Sequence, residues 1–592
     1  MRARTRGGLV LLAAAGIAAA ATFNARGAAG ATGGLTYAPT TVGDYGGEPS
    51  IVSDSNGVLY EDTPSGGTVL YRSTDHGLSW QKRTTADTNS GDDCLGVDQS
   101  NAVYQCNLQI VTSQGVAPLQ ADEWKTTDGG ATWMHGDGAI SGTCSTSCSP
   151  FGVDRDWTDA AILPPATSTD QAEVVLMYHD FYGLSQIWVN ISQDGGKTFG
   201  APIGVLTSPA VTPGAVAGSL VAEGFTFCST VPAGTGIVRP GHPHAGRIYV
   251  AWIAADAAQD ALGCNLTQAQ AFDTLFMSYS DDKGATWTTQ MAYDAGLGHD
   301  ASTPFVAFTI DDQGNPYFAF AVQGPGDNAA VCSAESLAGT LQSDTSCAYN
   351  MYVIWSQDGG QTWGDGTGLV PGSAGTAYQV NPPSEVGTHF YPAISVRDPG
   401  KVDVAYLFTP TLVPTDAAGK TLPGGCAGPD TAGVPTFPPP CNWYLYAGQT
   451  SLLTADPANT TWTTTRVTGV PMHIGDICNL GIACGPTSNR NLLDFIQTAI
   501  DPTTGCAHIA YPDDNTVNKL RVANQTTGCF AVAAATTTAT PTPTPTSAPA
   551  AALNGSPNTA SAPPGLGTAL GVAGMLGIGL PMLRRRRRRR AR

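Results

Sequence analysis

The sequence predicts an all-β protein built from repeated four-stranded units. Three observations indicate this: one eight-residue phrase occurs five times, Gly (71) and Pro (42) are abundant, and short apolar stretches alternate with these turn residues. Glycine and proline favour turns, and apolar β-branched stretches between turns are typical of short strands. At 592 residues the chain is too long for one ordinary core, so a repeat architecture accounts for its length.

The repeated eight-residue motif has the sequence Ser/Thr-x-Asp-x-Gly-x-Ser/Thr-aromatic. It occurs at residues 73–80, 126–133, 192–199, 280–287 and 356–363. Its acidic residue can accept hydrogen bonds from the backbone amides that follow it. The glycine can adopt a positive φ, and the aromatic residue begins another strand and needs burial. The phrase therefore predicts a turn between two antiparallel strands, with a structural role for its aspartates Asp75, Asp128, Asp194, Asp282 and Asp358.

This phrase resembles the Asp-box, or BNR repeat, of the sialidase-like β-propellers. The resemblance implies a ring of four-stranded blades, with each box on an outer turn far from the central ligand site. Two further units, from His389 and from Asn491, have the strand pattern without a box. The last unit has three strands, and we expect the LTYAPTTV stretch from Leu35 to supply the fourth and close the ring. Seven blades are favoured, and six, the number in sialidases, stays open.

The two ends of the chain predict export and attachment. Residues 1–31 have the arginines, apolar run and small residues of a secretory signal peptide. The propeller then occupies 32–530, a Pro/Thr/Ala-rich disordered stalk 531–564, an apolar span 565–583 and a basic cytoplasmic tail 584–592. The ending also resembles a Gram-positive cell-wall sorting signal, with Ser556-Pro-Asn-Thr-Ala560 in place of Leu-Pro-x-Thr-Gly. We expect the propeller outside the cell, tethered to the membrane or the cell wall.

The charge distribution excludes some partners. Twelve of the 28 basic residues lie at the two ends, which leaves 16 basic residues against 47 acidic ones and a formal charge of −31. Such a body repels nucleic acid and anionic lipid. We expect an extracellular glycan or glycoprotein as the partner, membrane contact only through the C-terminal span, and a monomer.

Fourteen cysteines agree with an exported protein that forms disulfides. Sequence alone leaves their connectivity open. Pairing neighbours in order would keep every bridge within one repeat or the loop beside it. The pairs would be Cys94–Cys106, Cys144–Cys148, Cys228–Cys264, Cys332–Cys347, Cys426–Cys441, Cys478–Cys484 and Cys506–Cys529. No cofactor is expected, although calcium in the acidic turns stays open.

The candidate site residues are the polar residues that begin the inner strands, because these strands converge on a central shaft where propellers bind ligands. The catalytic candidates are Glu48, Asp93, Asp154, Asp156, Asp300 and Tyr391. The candidates for ligand binding are Arg155, Trp157, His299, His389, Arg490 and Asp494. Asp92 and Glu385 occupy comparable positions.

Three functions are compatible with these residues. A sialidase, which the resemblance implies, holds its substrate with three arginines and uses a Tyr nucleophile and an Asp acid/base. The family's Arg-Ile-Pro signature is absent, and Glu48-Pro-Ser stands in a comparable place. A hydrolase of neutral glycans would need only two carboxyl groups. The third function is a non-catalytic propeller that binds glycans or proteins in adhesion.

Overall fold

Seven antiparallel sheets form a closed ring, so the predicted seven-bladed β-propeller is confirmed. The computed structural model describes residues 34–65, 67–87, 90–110, 119–136, 153–180, 186–206, 220–222, 225–256, 272–295, 301, 305–323, 349–364, 375–410, 441–451, 453, 460–475, 477 and 489–532. All of them belong to one compact unit that ends at Ala533. The predicted signal peptide, stalk, apolar span and basic tail lie outside the described residues.

The N-terminal strand β1 (Thr36–Gly43) belongs to the last blade, and the first complete blades follow it. Blade 1 contains β2 (Ser50–Ser53), β3 (Leu59–Pro64), β4 (Thr68–Ser73) and β5 (Gln81–Lys82). Blade 2 contains β6 (Ser90–Val97), β7 (Val103–Ile110), β8 (Leu119–Thr126) and β9 (Met134–His135). Blade 3 contains β10 (Val153–Ala161), β11 (Glu173–Asp180), β12 (Ile187–Ser192) and β13 (Ile203–Gly204), with a short 3₁₀ helix at Thr169–Gln171.

The second half of the ring repeats this order with two additions. Blade 4 contains β14 (Leu220–Ala222), β15 (Phe225–Ile237), β16 (Ile248–Asp256), β17 (Thr274–Ser280) and β18 (Thr288–Asp294). Blade 5 contains β19 (Ala307–Ile310), β20 (Pro316–Gln323), β21 (Tyr349–Trp355) and β22 (Tyr378–Gln379). Blade 6 contains β23 (Thr388–Val396), β24 (Val402–Thr409), β25 (Asn442–Thr450), β26 (Thr463–Arg466) and β27 (His473–Ile474). Blade 7 contains β28 (Gln497–Ile500), β29 (Ala507–Asp513) and β30 (Lys519–Thr527).

Strand β1 closes the ring by pairing antiparallel with β30, which confirms the closure predicted from the three-stranded last unit. The pairing runs from Thr36 opposite Thr527 to Gly43 opposite Leu520. Closure joins the first and last strands of the propeller, and it leaves β28 as the inner strand of blade 7.

The five repeated turns have the predicted hydrogen bonds. In the copy at 356–363, the Ser356 hydroxyl donates to Asp358 Oδ1 at 2.8 Å and accepts from the Gly360 amide at 2.8 Å. Thr362 donates to Asp358 through its amide, at 2.8 Å to Oδ1, and its hydroxyl, at 2.6 Å to Oδ2. The other four copies repeat these bonds. Each turn connects the last two strands of blades 1 to 5.

The hydrophobic core lies between neighbouring blades. Apolar side chains of blades 5 and 6 form one buried cluster, and those of blades 4 and 5 form another that includes Trp363. Because the sheets pack face to face, strands such as β24 are buried along their whole length. Within the described residues, no helix is long and apolar enough to cross a membrane.

Two of the predicted disulfides are present among the described residues. Cys94–Cys106 joins the first two strands of blade 2, and Cys506–Cys529 ties the turn after β28 to the end of β30. Cys441 is also disulfide-bonded. The other predicted pairs rest on residues outside it.

Candidate functional site at the mouth of the shaft

An axial cavity of about 310 Å³ runs between the inner strands β2, β6, β10, β15, β19, β23 and β28. Arg155 and Tyr391 line one end of the cavity. Asp159 and Arg239 line a part farther from that end, in the direction in which β10 and β15 run. We call the end near Arg155 the mouth of the shaft. The inner strands β2, β10, β23 and β28 begin near this end, where the sequence predicted the site.

Four residues at the mouth adopt left-handed backbone conformations that side-chain-bearing residues rarely adopt. They are Glu48 (φ 48°), Arg155 (φ 58°), Tyr391 (φ 48°) and Leu493 (φ 55°). In β10 and β23 this conformation coincides with a break in strand register, after Asp154 and after Phe390. Strained backbone of this kind persists where the surrounding structure holds it, and it is frequent at functional sites.

Arg155 is the centre of the mouth. One terminal nitrogen, Nη2, lies 2.5 Å from Asp494 Oδ2, and Nη1 lies 3.9 Å from Glu48 Oε1. The guanidinium group also lies 3.6 Å from the centre of the Phe305 ring and 5.7 Å from that of Phe495. Arg155 is only 5% exposed. Residues of blades 1 and 7 and of the segment before β19 therefore cover most of its side chain.

Two carboxyl pairs flank Arg155. Asp494 is hydrogen-bonded to Glu48 and receives a two-pronged contact from Arg490, whose Nη2 lies 3.1 Å from Oδ2. On the other side, Asp154 is hydrogen-bonded to Asp92. A hydrogen bond between two carboxyl groups requires a proton on one of them, so these contacts favour the protonated form of Glu48 and of Asp154.

The electrostatics indicate which member of each pair holds the proton. Burial, followed by the charges of Asp92 and Asp494, raises the pKa of Glu48 well above its usual range. Burial and then the Asp92 charge raise the pKa of Asp154 in the same way, and Arg155 opposes the rise. Asp154 therefore keeps its proton to a higher pH than an ordinary aspartate does.

Exposure separates the catalytic candidates. Asp154 and Asp92 are half-buried, whereas Glu48, Asp93, Asp156 and Tyr391 are each less than 5% exposed. Burial is the main cause that raises the pKa of Asp93 and of Asp156, and both carboxyl oxygens of each lack a hydrogen-bond partner among the described residues. The Tyr391 hydroxyl donates to the carbonyl of Leu493, and burial raises its pKa. Of these six residues, Asp154 and Asp92 can meet a ligand most directly.

The ligand-binding candidates fall into two places. Arg155, Arg490 and Asp494 lie together at the mouth, and the ring of Trp157 is tilted against that of Phe495, with 5.5 Å between the ring centres. His389 is buried near the start of β23. Its Nδ1 lies 2.6 Å from the carbonyl oxygen of Tyr349, and its Nε2 lies 3.3 Å from Glu385. His299 and Asp300 lie outside the described residues.

Two aromatic residues at the site were not among the candidates. Phe305 and Phe495 lie against Arg155 and Trp157, and both precede the inner strand of their blade. The sequence feature that could have identified them is an aromatic residue just before the inner strand, which two of the blades share. Among the described residues, no group of three or more His, Cys, Asp or Glu side chains could hold a metal ion.

The fold and this site define the chain as a seven-bladed propeller with a carboxyl-rich mouth. No family model and no curated protein sequence matches it. Among solved structures, an ulvan lyase of polysaccharide lyase family PL25 is similar at 10% identity and a TM-score of 0.42, covering 83% of this chain and 95% of that one. The intramolecular trans-sialidase of Ruminococcus gnavus is similar at 14% identity and a TM-score of 0.31, covering 82% and 95%. An α-L-arabinanase of Penicillium chrysogenum is similar at 13% identity and a TM-score of 0.33, covering 74% of this chain and 99% of that one.

Proposed function

We propose that this protein is an exported glycoside hydrolase of the sialidase-like, Asp-box type, held at the cell surface by its C-terminal segment. The observation that carries the proposal is the Asp92–Asp154 carboxyl pair, half-buried at the mouth of the shaft. Glycosidic bonds are cleaved by a protonated carboxyl group that donates to the leaving oxygen and a carboxylate that acts on the sugar. Two disulfides support an extracellular location.

The roles follow from protonation and contact. Asp154 holds a proton and is the general acid, since its raised pKa keeps it neutral where the leaving oxygen needs protonation. Asp92, its hydrogen-bond partner, keeps the proton in place. When the glycosidic C–O bond breaks, the proton leaves with the alcohol, and Asp154 regains one from the water that adds to the sugar. Asp494 is fixed by Arg155 and Arg490 and is only 5% exposed, so its carboxylate acts through space, without contact, on the positive charge that develops on the sugar ring.

Replacing the proton donor tests the proposal. Asp154→Asn removes the acidic hydrogen but keeps the shape of the neutral side chain, so the variant should fold. We expect hydrolysis of chromogenic glycosides by the full-length chain to fall by about 10²–10⁴-fold. Asp170→Asn is the matched control, because Asp170 is an exposed residue of the 3₁₀ helix in blade 3.

Two results would contradict the proposal: wild-type protein that releases no sugar from any substrate, or an Asp154→Asn variant as active as the wild type. The first would favour the second candidate function, a non-catalytic propeller that binds glycans or proteins. The burial of Glu48, Asp93, Asp156 and Tyr391 favours that candidate, since these groups cannot touch a substrate in this conformation. A glycan array that retains the protein without any hydrolysis would identify it.

A further inference from the structure

We infer that the mouth of the shaft takes an uncharged glycosyl group, and this inference rests on the proposed glycoside hydrolase function. An acidic sugar, such as a sialic or uronic acid, is normally held by charge-assisted bonds from arginine. Binding of such a sugar therefore requires an arginine at the mouth that still has hydrogen bonds to donate.

Arg155 is committed to the protein's own carboxyl groups. Its two terminal nitrogens face Asp494 and Glu48, its flat face lies on Phe305, and it is 5% exposed. A substrate carboxylate would have to displace Asp494 from its 2.5 Å contact with Arg155, which would separate a buried ion pair and leave Asp494 with Arg490 alone. Removing one partner of a buried ion pair is strongly unfavourable.

Arg490 is committed to the same acceptor. Both of its terminal nitrogens contact Asp494, four residues farther along the chain, and about a quarter of its side chain (26%) is exposed. Asp494 thus engages two arginines that the sequence alone offers as ligands for a substrate carboxylate. The two arginines hold Asp494 in position instead.

Of the other described arginines, one that lines the axis is bonded to a carboxylate, and Arg466 lies on an outer strand. Arg239, which lines the axial cavity, bonds Asp159 through Nη1 at 3.1 Å and Nη2 at 2.8 Å. Arg466 lies at the end of the outer strand β26 with its guanidinium 5.0 Å from the centre of the Tyr444 ring.

The charge of the whole propeller acts in the same direction. Its body has 16 basic residues against 47 acidic ones, and Asp92 adds a carboxylate beside the proton donor. A field of this sign repels an anionic substrate before contact and leaves a neutral one unaffected. Specificity for neutral sugars then needs no added contact, because the acidic analogue is rejected by charge.

Paired substrates test the inference with the full-length protein. The pairs differ only at C6: 4-methylumbelliferyl glucoside against glucuronide, and galactoside against galacturonide. The arabinofuranoside and the sialoside are added to the panel. We expect release from at least one neutral substrate, with kcat/KM at least 100-fold above that of its acidic counterpart. Release from the glucuronide, the galacturonide or the sialoside at an equal or higher kcat/KM would overturn the inference and leave the hydrolase proposal standing.

A binding measurement covers the case in which no aryl glycoside is cleaved. The Asp154→Asn variant is applied to an array of neutral and acidic oligosaccharides at low and at physiological salt. Retention on neutral glycans alone supports the inference, and retention on acidic glycans overturns it. If neither substrates nor array respond, both the inference and the hydrolase proposal fail.

Discussion

Asp154 and Asp156 are two residues apart on β10, but their surroundings differ. Asp154 is half-buried and bonded to Asp92, whereas Asp156 is 4% exposed and its carboxyl oxygens have no described partner. The left-handed backbone at Arg155 lies between them and breaks the alternation of the strand. From the sequence alone the two aspartates are equally good catalytic candidates. The local backbone conformation gives them different exposure and different partners.

At the residue scale, the aromatic position of the repeated turn gives a stability prediction. Trp363 is fully buried, with its ring 5.6 Å from that of Phe318, whereas Trp80 of the first copy is partly exposed. Trp363→Ala should lower the free energy of unfolding by about 3–5 kcal/mol, because it leaves a large cavity. Trp80→Ala should cost clearly less.

Chemical denaturation of the two variants measures this difference. A loss below about 1 kcal/mol for Trp363→Ala would mean that the ring does not carry the packing between blades 4 and 5. Trp363→Phe is the useful intermediate, since the indole nitrogen of Trp363 has no hydrogen-bond partner among the described residues.

At the scale of strands and blades, the fold was predictable because its signals are local. The repeated turn fixes where two strands meet, and the three-stranded last unit indicates how the ring closes. The inner strand β15 is not predicted by its pattern, because Pro232, Gly234 and Gly236 suggest a turn. An inner strand tolerates them, since the edge that lines the shaft needs no ladder hydrogen bonds there.

The site was predictable only in part, because its decisive contacts join distant blades. The register of polar residues at inner-strand starts predicts Asp154, Arg155, Arg490 and Asp494 at one mouth. It cannot predict that Arg155 lies on Phe305, which is 150 residues later in the sequence. Nor can it predict that Asp494 forms ion pairs with both arginines. Burial of Asp93 beside Glu61 of blade 1 likewise depends on how two blades pack.

At the scale of the whole molecule, buried carboxyl groups predict greatest stability in mild acid. Burial raises the pKa of Glu48, Glu61, Asp93 and Asp156, and that of Asp403 to about 6. The folded state therefore binds more protons than the unfolded chain above pH 4, so stability falls as pH rises through the folded pKa values. For Asp403, between pH 3.8 and about 6, this loss is on the order of 3 kcal/mol.

The repeated turns set the acidic limit. Hydrogen bonds from Thr132 lower the pKa of Asp128 to about 2, and similar bonds lower that of Asp282, so their stabilisation is lost as pH falls toward these values. Thermal unfolding across pH 3–8 should show a maximum near about pH 4. Asp403→Asn should flatten the decline between pH 4 and 6, and a maximum near pH 8 would contradict the assignment of these buried groups.

The central claim is that chemistry takes place at the mouth of the shaft, on the Asp92–Asp154 pair. A crystal structure of the Asp154→Asn variant soaked with a neutral oligosaccharide tests it directly. We expect the oxygen of a glycosidic bond within about 3 Å of the side chain of residue 154. A sugar bound on the repeated turns or elsewhere on the outer strands, with the mouth of the shaft holding none, would contradict it.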